Sequence, residues 1–254
     1  MRALVLTGGG SRGAWQIGKI AKLYKDGNRY DHIVGTSVGA VNALGLCSIG
    51  VDETLKLWER LDGRRSVMKL NVEFPWKWDG VFHFKPLKKL LMEGVQWPAS
   101  LGVAHACMTD LSTLGVCYAS SNECDKEQFI DYVIGSCAIA GLQKPYKGRY
   151  VDGGHREFAP FQQALNLGCT SIDVVSTSPI GEQFDPGWKP SGVPALSIAG
   201  RGIQAMSHEI WMRDVMHLPQ VRIFAPKAEL PFDMLDYRKP NLKAAIEAGF
   251  KDEG

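Results

Sequence analysis

The chain has 254 residues, 45% hydrophobic and 22% charged, with a formal net charge of +2. That size and composition suit one α/β domain spanning residues 1–254, and no Pro/Gly/Ser-rich linker, low-complexity tract or internal repeat divides it. The near-neutral charge argues against a nucleic-acid partner; no apolar run approaches the ~18 residues of a membrane span, and Met1 and Arg2 lead into a strand without a signal-peptide core, so a soluble cytosolic protein is expected.

Arg2 to Thr7 is an apolar, β-rich run that ends abruptly in Gly8, Gly9, Gly10, Ser11, Arg12 and Gly13, before the helical stretch Ala14 to Tyr24. Strand, glycine loop and helix form an anion-binding layout. Gly8, Gly10 and Gly13 fit the dinucleotide pattern G-x-G-x-x-G, but that reading requires an acid at the end of the second strand, and there the chain has Gly35, Thr36 and Ser37. The alternative is an oxyanion hole, since two adjacent parallel strands deliver both loops to the same sheet edge.

Tyr30 to Ala43 reads as a buried strand, a tight turn and a helix. Gly35 and Gly39 bracket Ser37 in a G-x-S-x-G pattern. The glycines permit the sharp bend, and the serine hydroxyl is pushed out of the sheet at a helix N-terminus, where free amides favour developing negative charge. Val51 to Leu61 follows as an amphipathic helix with Leu55, Trp58 and Leu61 on one face. Arg60 to Met92 is a basic excursion with eight Lys/Arg against three Asp/Glu and the aromatics Phe74, Trp76, Trp78, Phe82 and Phe84. It reads either as a loop whose aromatics enter the core or as a surface for transient contact with a membrane.

Leu101 to Met108 and Gly115 to Ala119 alternate as strands, and Asp125 to Ile139 is a helix. Arg149 to Val151 is a short strand delivering Asp152 into the turn Gly153–Gly154. A strand-end carboxylate, a strand-end serine and a glycine-rich donor loop together are what acyl transfer requires. Ile172 to Ser176 and Val221 to Phe224 are further strands. Ser197 to Leu218 contains a long helix whose Met206, Met212, Met216 and Trp211 are expected in the core, and Asn241 to Phe250 is a terminal helix. Six cysteines without a C-x-x-C pair predict reduced, mostly buried thiols. No His/Cys/Asp/Glu cluster has metal-ligand spacing, so catalysis without metal or other cofactor is expected.

These residues resemble the patatin-like phospholipases, over nearly the whole chain. Thr7 to Gly18 (TGGGSRGAWQIG) resembles the family's glycine-rich oxyanion loop with its basic residue, here Arg12. Val34 to Ala43 (VGTSVGAVNA) matches the nucleophile motif almost letter for letter. Ser136 to Gly141 (SCAIAG) resembles the stretch before the second catalytic motif, with Ala140 where proline is common, and Val151 to Gly154 (VDGG) matches the catalytic-aspartate motif. One departure follows: the family often has Asn a few residues after the Asp-Gly-Gly, and this chain has Glu157 and Phe158 before Pro160.

The resemblance implies a three-layer α/β/α fold with a mainly parallel central sheet, and hydrolysis of phospholipid or other lipid esters. Ser37 would be the nucleophile, Asp152 the general base, and the amides around Gly9, Gly10 and Ser11 the oxyanion donors. Arg12 would meet a lipid phosphate or anchor its loop by a salt bridge. A thioesterase or acyltransferase on the same dyad and a non-catalytic lipid-binding module are the alternatives. A Ser-His-Asp triad would instead draw on His155, His208 or His217, with His155 nearest the aspartate in sequence.

Overall fold

Alternation along the first strand divides the molecule into layers. In β1 (Arg2–Leu6), Ala3 and Val5 pack into one apolar cluster and Leu4 and Leu6 into another, as side chains of successive strand residues must. The structure is a computed structural model and describes residues 1–72, 80–181, 184, 187–190, 194–216 and 221–253.

β1 pairs in parallel with β2 (His32–Thr36) on one side and with β8 (Ser171–Val175) on the other. The parallel sheet continues from β2 to β5 (Val103–Asp110) and from β8 to β9 (Arg222–Phe224). Two strands run antiparallel to β5: β6 (Gly115–Ser120) and the short β7 (Tyr150–Asp152). The architecture is therefore α/β with a mostly parallel central sheet flanked by helices.

The helices cover both faces, which is why the central strands are apolar throughout. On the Leu4/Leu6 side lie α1 (Gly13–Lys25), α2 (Val38–Glu59), α3 (Lys85–Gly94), α4 (Lys126–Ser136) and α7 (Lys239–Lys251); on the Ala3/Val5 side lie α5 (Phe161–Asn166) and α6 (Pro194–Met216). The α2 run is interrupted at Gly50, whose φ of 79° is outside the helical range, so the elbow helix and the amphipathic helix after it are two pieces. α7 crosses α1 so closely that a β-carbon on Gly18 would overlap the Ile246 carbonyl and one on Gly249 the Trp15 carbonyl. None of the described helices is long and apolar enough to cross a membrane.

Two expectations change. The basic excursion contains an antiparallel pair, β3 (Lys69–Leu70) with β4 (Phe82–His83), followed by α3, whose Leu87 and Leu91, four residues apart, are buried. Phe82 and Phe84 are half-buried against the core, while Phe74, Trp76 and Trp78 lie outside the described residues. On α6 only part of the apolar stripe is core. Trp211 is fully buried, but Met206 is 59% exposed, because Ile203, Met206 and Ile210 form a helical stripe that walls an open cavity instead of a packed interior. Met216's side chain and all of His217 and Leu218 lie outside what is described.

Candidate active site

The place where Ser37 and Asp152 meet follows from strand pairing. β2 pairs with β5 from Val103 to Cys107 and then stops at Thr36. β6 already occupies the opposite edge of β5 from His105 to Asp110, so β7, which pairs with Met108 to Asp110, must take the edge that β2 has vacated. β7 runs antiparallel, so its last residue, Asp152, faces Met108, the residue next to Thr36's partner Cys107. The ends of β2 and β7 therefore meet head-on, with the serine one residue beyond the first and the aspartate at the tip of the second.

Ser37 sits at φ 55°, ψ −125°, a left-handed backbone conformation that a side chain makes costly, typically by ~1–3 kcal/mol. What holds it there is close contact on all sides. A β-carbon on Gly35 would overlap the backbone of Gly39, and one on Gly39 would overlap the Leu6 carbonyl at the end of β1. The Ser37 amide donates to Ser136 Oγ at 2.9 Å, and the Ser136 hydroxyl donates to the Cys107 carbonyl, pinning the elbow to β5.

Asp152 is 7% exposed. One carboxylate oxygen accepts from the Gly154 amide at 2.8 Å, and Ser37 lines the same cavity as the carboxylate. Burial is the dominant influence and pushes the carboxyl pKa up, against the opposing effects of the nearby Ser37 hydroxyl, the Gly154 amide and His155. His155 lies beside the site, but its Nδ1–H donates to the Asp152 backbone carbonyl at 2.8 Å, and it reaches the aspartate by that route and not through the carboxylate. His208 is on α6, its ring set edge-on against Phe184.

The glycine loop lies against the elbow: a β-carbon on Gly8 would be 3.4 Å from that of Ser37. Gly9 and Gly10 have φ of 141° and 59°, conformations in which glycine is favoured. The loop is suspended from a buried polar chain. Trp58 Nε1 donates to Asn42, Asn42 donates to Gln16, and Gln16 donates to the carbonyls of Thr7 and Val175, at 2.8 to 3.2 Å. Thr177 also donates to the Gly8 carbonyl. A strap of residues 229–235 crosses the loop from outside. The Ser11 amide donates to the Met234 carbonyl at 2.8 Å, and Ser11 Oγ to the Asp233 carbonyl at 3.0 Å. Ser11 is thus removed from the expected donor set, because its amide is already spent. The Gly9 and Gly10 amides have no hydrogen-bond partner among the described residues, and each of these glycines lines a cavity that Ser37 also lines. Gly13 opens α1 and packs against Val38.

Arg12 resolves toward one of its two readings. It is buried, and its guanidinium pairs with Glu229 at 3.0 Å and donates to the Phe232 carbonyl at 3.3 Å, so it anchors the loop to the strap. Gly153 belongs to the aspartate turn and sits on Cys107, where a β-carbon would be 2.6 Å from the carbonyl oxygen. Among the described residues no three His, Cys, Asp or Glu side chains converge as a metal site requires. All six cysteines are free.

Two cavities open at Ser37. One is a slender apolar slot of about 70 Å3 that runs between α2 and α3, past Val41, Leu57, Trp58, Leu87 and Leu91. The other is wider, about 480 Å3, and reaches Asp152, His155 and the Ile203–Met206–Ile210 stripe of α6. Sequence reasoning missed Ser136, the 229–235 strap and the lining of both cavities. Of these only Ser136 carried a signal, its place in the SCAIAG stretch.

Residues 4–165 match the family model for patatin-like phospholipase. Among solved structures, the chain is similar to the crystal structure of VipD from Legionella pneumophila, at 13% identity and a TM-score of 0.50, covering 98% of this chain and 65% of that one. The chain thus spans less than two-thirds of that chain's length, and the likeness concerns the fold. No curated protein matches the sequence.

The buried Asp152 carboxyl has a testable effect on stability. Its folded pKa lies above the ~3.9 of an unfolded aspartate, so the native state is penalised as the group ionises, and the penalty grows as pH rises from about 4 through the folded pKa. Asp152→Asn keeps the shape without the charge. It should be more stable than wild type at neutral pH, by a margin that shrinks on acidification toward pH ~4. Urea unfolding of both proteins across this range checks it, and an Asn variant less stable than wild type at neutral pH would contradict it.

Proposed function

The chain belongs to the patatin-like phospholipase family, a family of lipid acyl hydrolases, and on that premise we propose that it cleaves carboxylic esters of phospholipids or related lipids through a Ser37 acyl-enzyme. The single observation that carries the reading is the head-on meeting of β2 and β7, which sets a strained serine against a desolvated carboxylate beside unpaired amides.

In this mechanism Asp152 takes the Ser37 proton as the hydroxyl oxygen attacks the ester carbonyl. A carboxylate is an intrinsically weak base toward an alcohol. Burial offsets part of that weakness by raising its pKa, and the rest falls to stabilisation of the tetrahedral oxyanion. The donors for that oxyanion are the Gly9 and Gly10 amides, with the positive end of α2 behind Ser37; one such donor is typically worth ~2.7–4 kcal/mol of barrier. The alcohol leaves with the proton, water enters, and Asp152 repeats its role in releasing the fatty acid. Residues 1–254 act as one unit in this reading, because β8, β9, α7 and the strap complete the sheet and hold the glycine loop.

Ser37→Ala should lose at least about a hundredfold in hydrolysis of a soluble p-nitrophenyl ester while unfolding close to wild type. His155→Ala should stay within about tenfold, since removal of a true general base forfeits roughly 10²-fold or more. A hundredfold fall in His155→Ala, with the circular dichroism unchanged, would replace the dyad with a triad.

The apolar slot is the proposed acyl site, because it begins at Ser37 and its walls are almost wholly hydrocarbon. Val41 lines it one helical turn from the serine. Val41→Trp should lower the ratio of kcat/KM for a decanoate ester over a butanoate ester by about tenfold or more, the scale set by a few methylenes denied an apolar pocket. An unchanged ratio would place the acyl chain elsewhere.

Contact with anionic lipid surfaces is part of the same proposal. Leu70 and Val72 are 58% and 87% exposed, in a basic stretch of the sequence that carries Arg64, Arg65, Lys69, Lys85 and Lys89. In co-sedimentation the protein should bind phosphatidylserine-containing vesicles more tightly than phosphatidylcholine vesicles, with the difference fading at high salt. Equal binding to the two would remove this surface from the account.

A further inference from the structure

Glu157 stands near the position where the family resemblance leads to asparagine, and its surroundings tie it to both reacting residues. Its backbone bridges the two strand ends. The Glu157 amide donates to the Gly153 carbonyl at 2.8 Å, next to Asp152, while its own carbonyl accepts from Thr36 Oγ1 at 3.0 Å, next to Ser37. Its side chain points away from the solvent, and the residue is only 8% exposed. No basic side chain pairs with the carboxylate among the described residues. It is gripped instead by the Tyr118 hydroxyl from β6, the Gln162 amide from α5 at 3.4 Å, and the Cys107 thiol from β5 at 3.9 Å.

A buried carboxylate without a cation is costly, and burial raises its pKa accordingly. Its arrangement is specific in return. An ionised carboxylate is an acceptor-only group with several lone pairs, so it can hold three donors from three elements at once, as a neutral apolar residue cannot. One of those donors, Cys107, is the residue whose carbonyl accepts from Ser136, whose hydroxyl in turn holds the Ser37 amide, and the aspartate turn rests on the same Cys107.

We propose that Glu157, clamped by Tyr118, is a positioning residue that fixes the Asp152 turn against the Ser37 elbow. It touches neither substrate nor the reacting atoms and acts through the two strand ends it bridges. Misplacing catalytic groups by about 1 Å can cost on the order of 10²-fold in rate, so loosening this clamp should appear in kcat and leave substrate binding alone.

The proposal rests on the Ser37–Asp152 reading, and its test separates the two. Wild type, Ser37→Ala, Glu157→Ala, Glu157→Gln and Tyr118→Phe are compared on a butanoate p-nitrophenyl ester, with kcat and KM resolved and the fold checked by near-ultraviolet circular dichroism. Glu157→Ala should lose about tenfold or more in kcat with KM within about twofold. Glu157→Gln, which keeps an oxygen acceptor for Tyr118, should recover kcat to within about threefold of wild type, and Tyr118→Phe should fall between them. If Glu157→Ala does not fold, the other two decide. Wild-type kcat in Tyr118→Phe, or a Glu157→Gln enzyme as slow as one lacking the clamp, overturns the assignment while Ser37→Ala remains inactive. Activity retained in Ser37→Ala would instead overturn the catalytic reading itself.

Discussion

One edge of one strand organises this molecule. β5 offers its β2-facing edge to two partners in succession, β2 up to Cys107 and β7 from Met108 onward, in opposite directions. No loop has to find the other across a cleft, because hydrogen-bond register alone brings the serine elbow and the aspartate turn together. The arrangement also explains why β7, one of the two strands that run antiparallel to β5, takes that direction here. A parallel β7 would have presented its other end, and the aspartate would have pointed away from Ser37.

The strain at Ser37 is sustained by contacts that leave little room to relax. Gly35 and Gly39 touch backbone on either side of it, Gly39 bears on the end of β1, and β1 carries the glycine loop that faces the serine. Elbow and loop are thereby coupled through direct backbone contact. The Trp58–Asn42–Gln16 chain adds a second, polar coupling between α2, α1 and the end of β1. On the outside, the 229–235 strap closes the assembly through Ser11 and the Arg12–Glu229 pair, an ion pair buried on both sides and therefore sensitive to loss of either partner.

How much of this was legible in the sequence depends on what kind of constraint a feature obeys. Close backbone approach allows essentially one residue type, so Gly35, Gly39, Gly9 and Gly10 announced the elbow and the loop. The central strands were legible because burial on both faces demands unbroken apolar runs. Pairing direction leaves no mark on composition, and nothing in Tyr150–Asp152 said that β7 would run antiparallel along an edge β2 had left. The strap was hidden for a related reason: apart from the Glu229 carboxylate that pairs with Arg12, what it contributes to the loop is backbone carbonyls, at Phe232, Asp233 and Met234, and any residue carries one. That the Ser11 amide is spent on Met234 could only be seen once the strap was in place. α3 was obscured by its lysines, which hide the two buried leucines in a run that reads as basic, and the Ile203–Met206–Ile210 stripe has the spacing of a core face although it faces a cavity. Ile139, Phe158 and Met234 line the site without any chemical signature that would have distinguished them from ordinary core residues.

The central claim is that Ser37 is made nucleophilic by a carboxylate that strand register places beside it. Its most direct test is the rate at which a fluorophosphonate ester forms a covalent adduct, followed by intact mass and mapped by peptide sequencing, in wild type and in Asp152→Asn. The account predicts a single adduct on Ser37 in wild type and a rate at least about a hundredfold lower in Asp152→Asn, the usual scale of general-base assistance. An adduct on another residue, or equal rates in the two proteins, would contradict it.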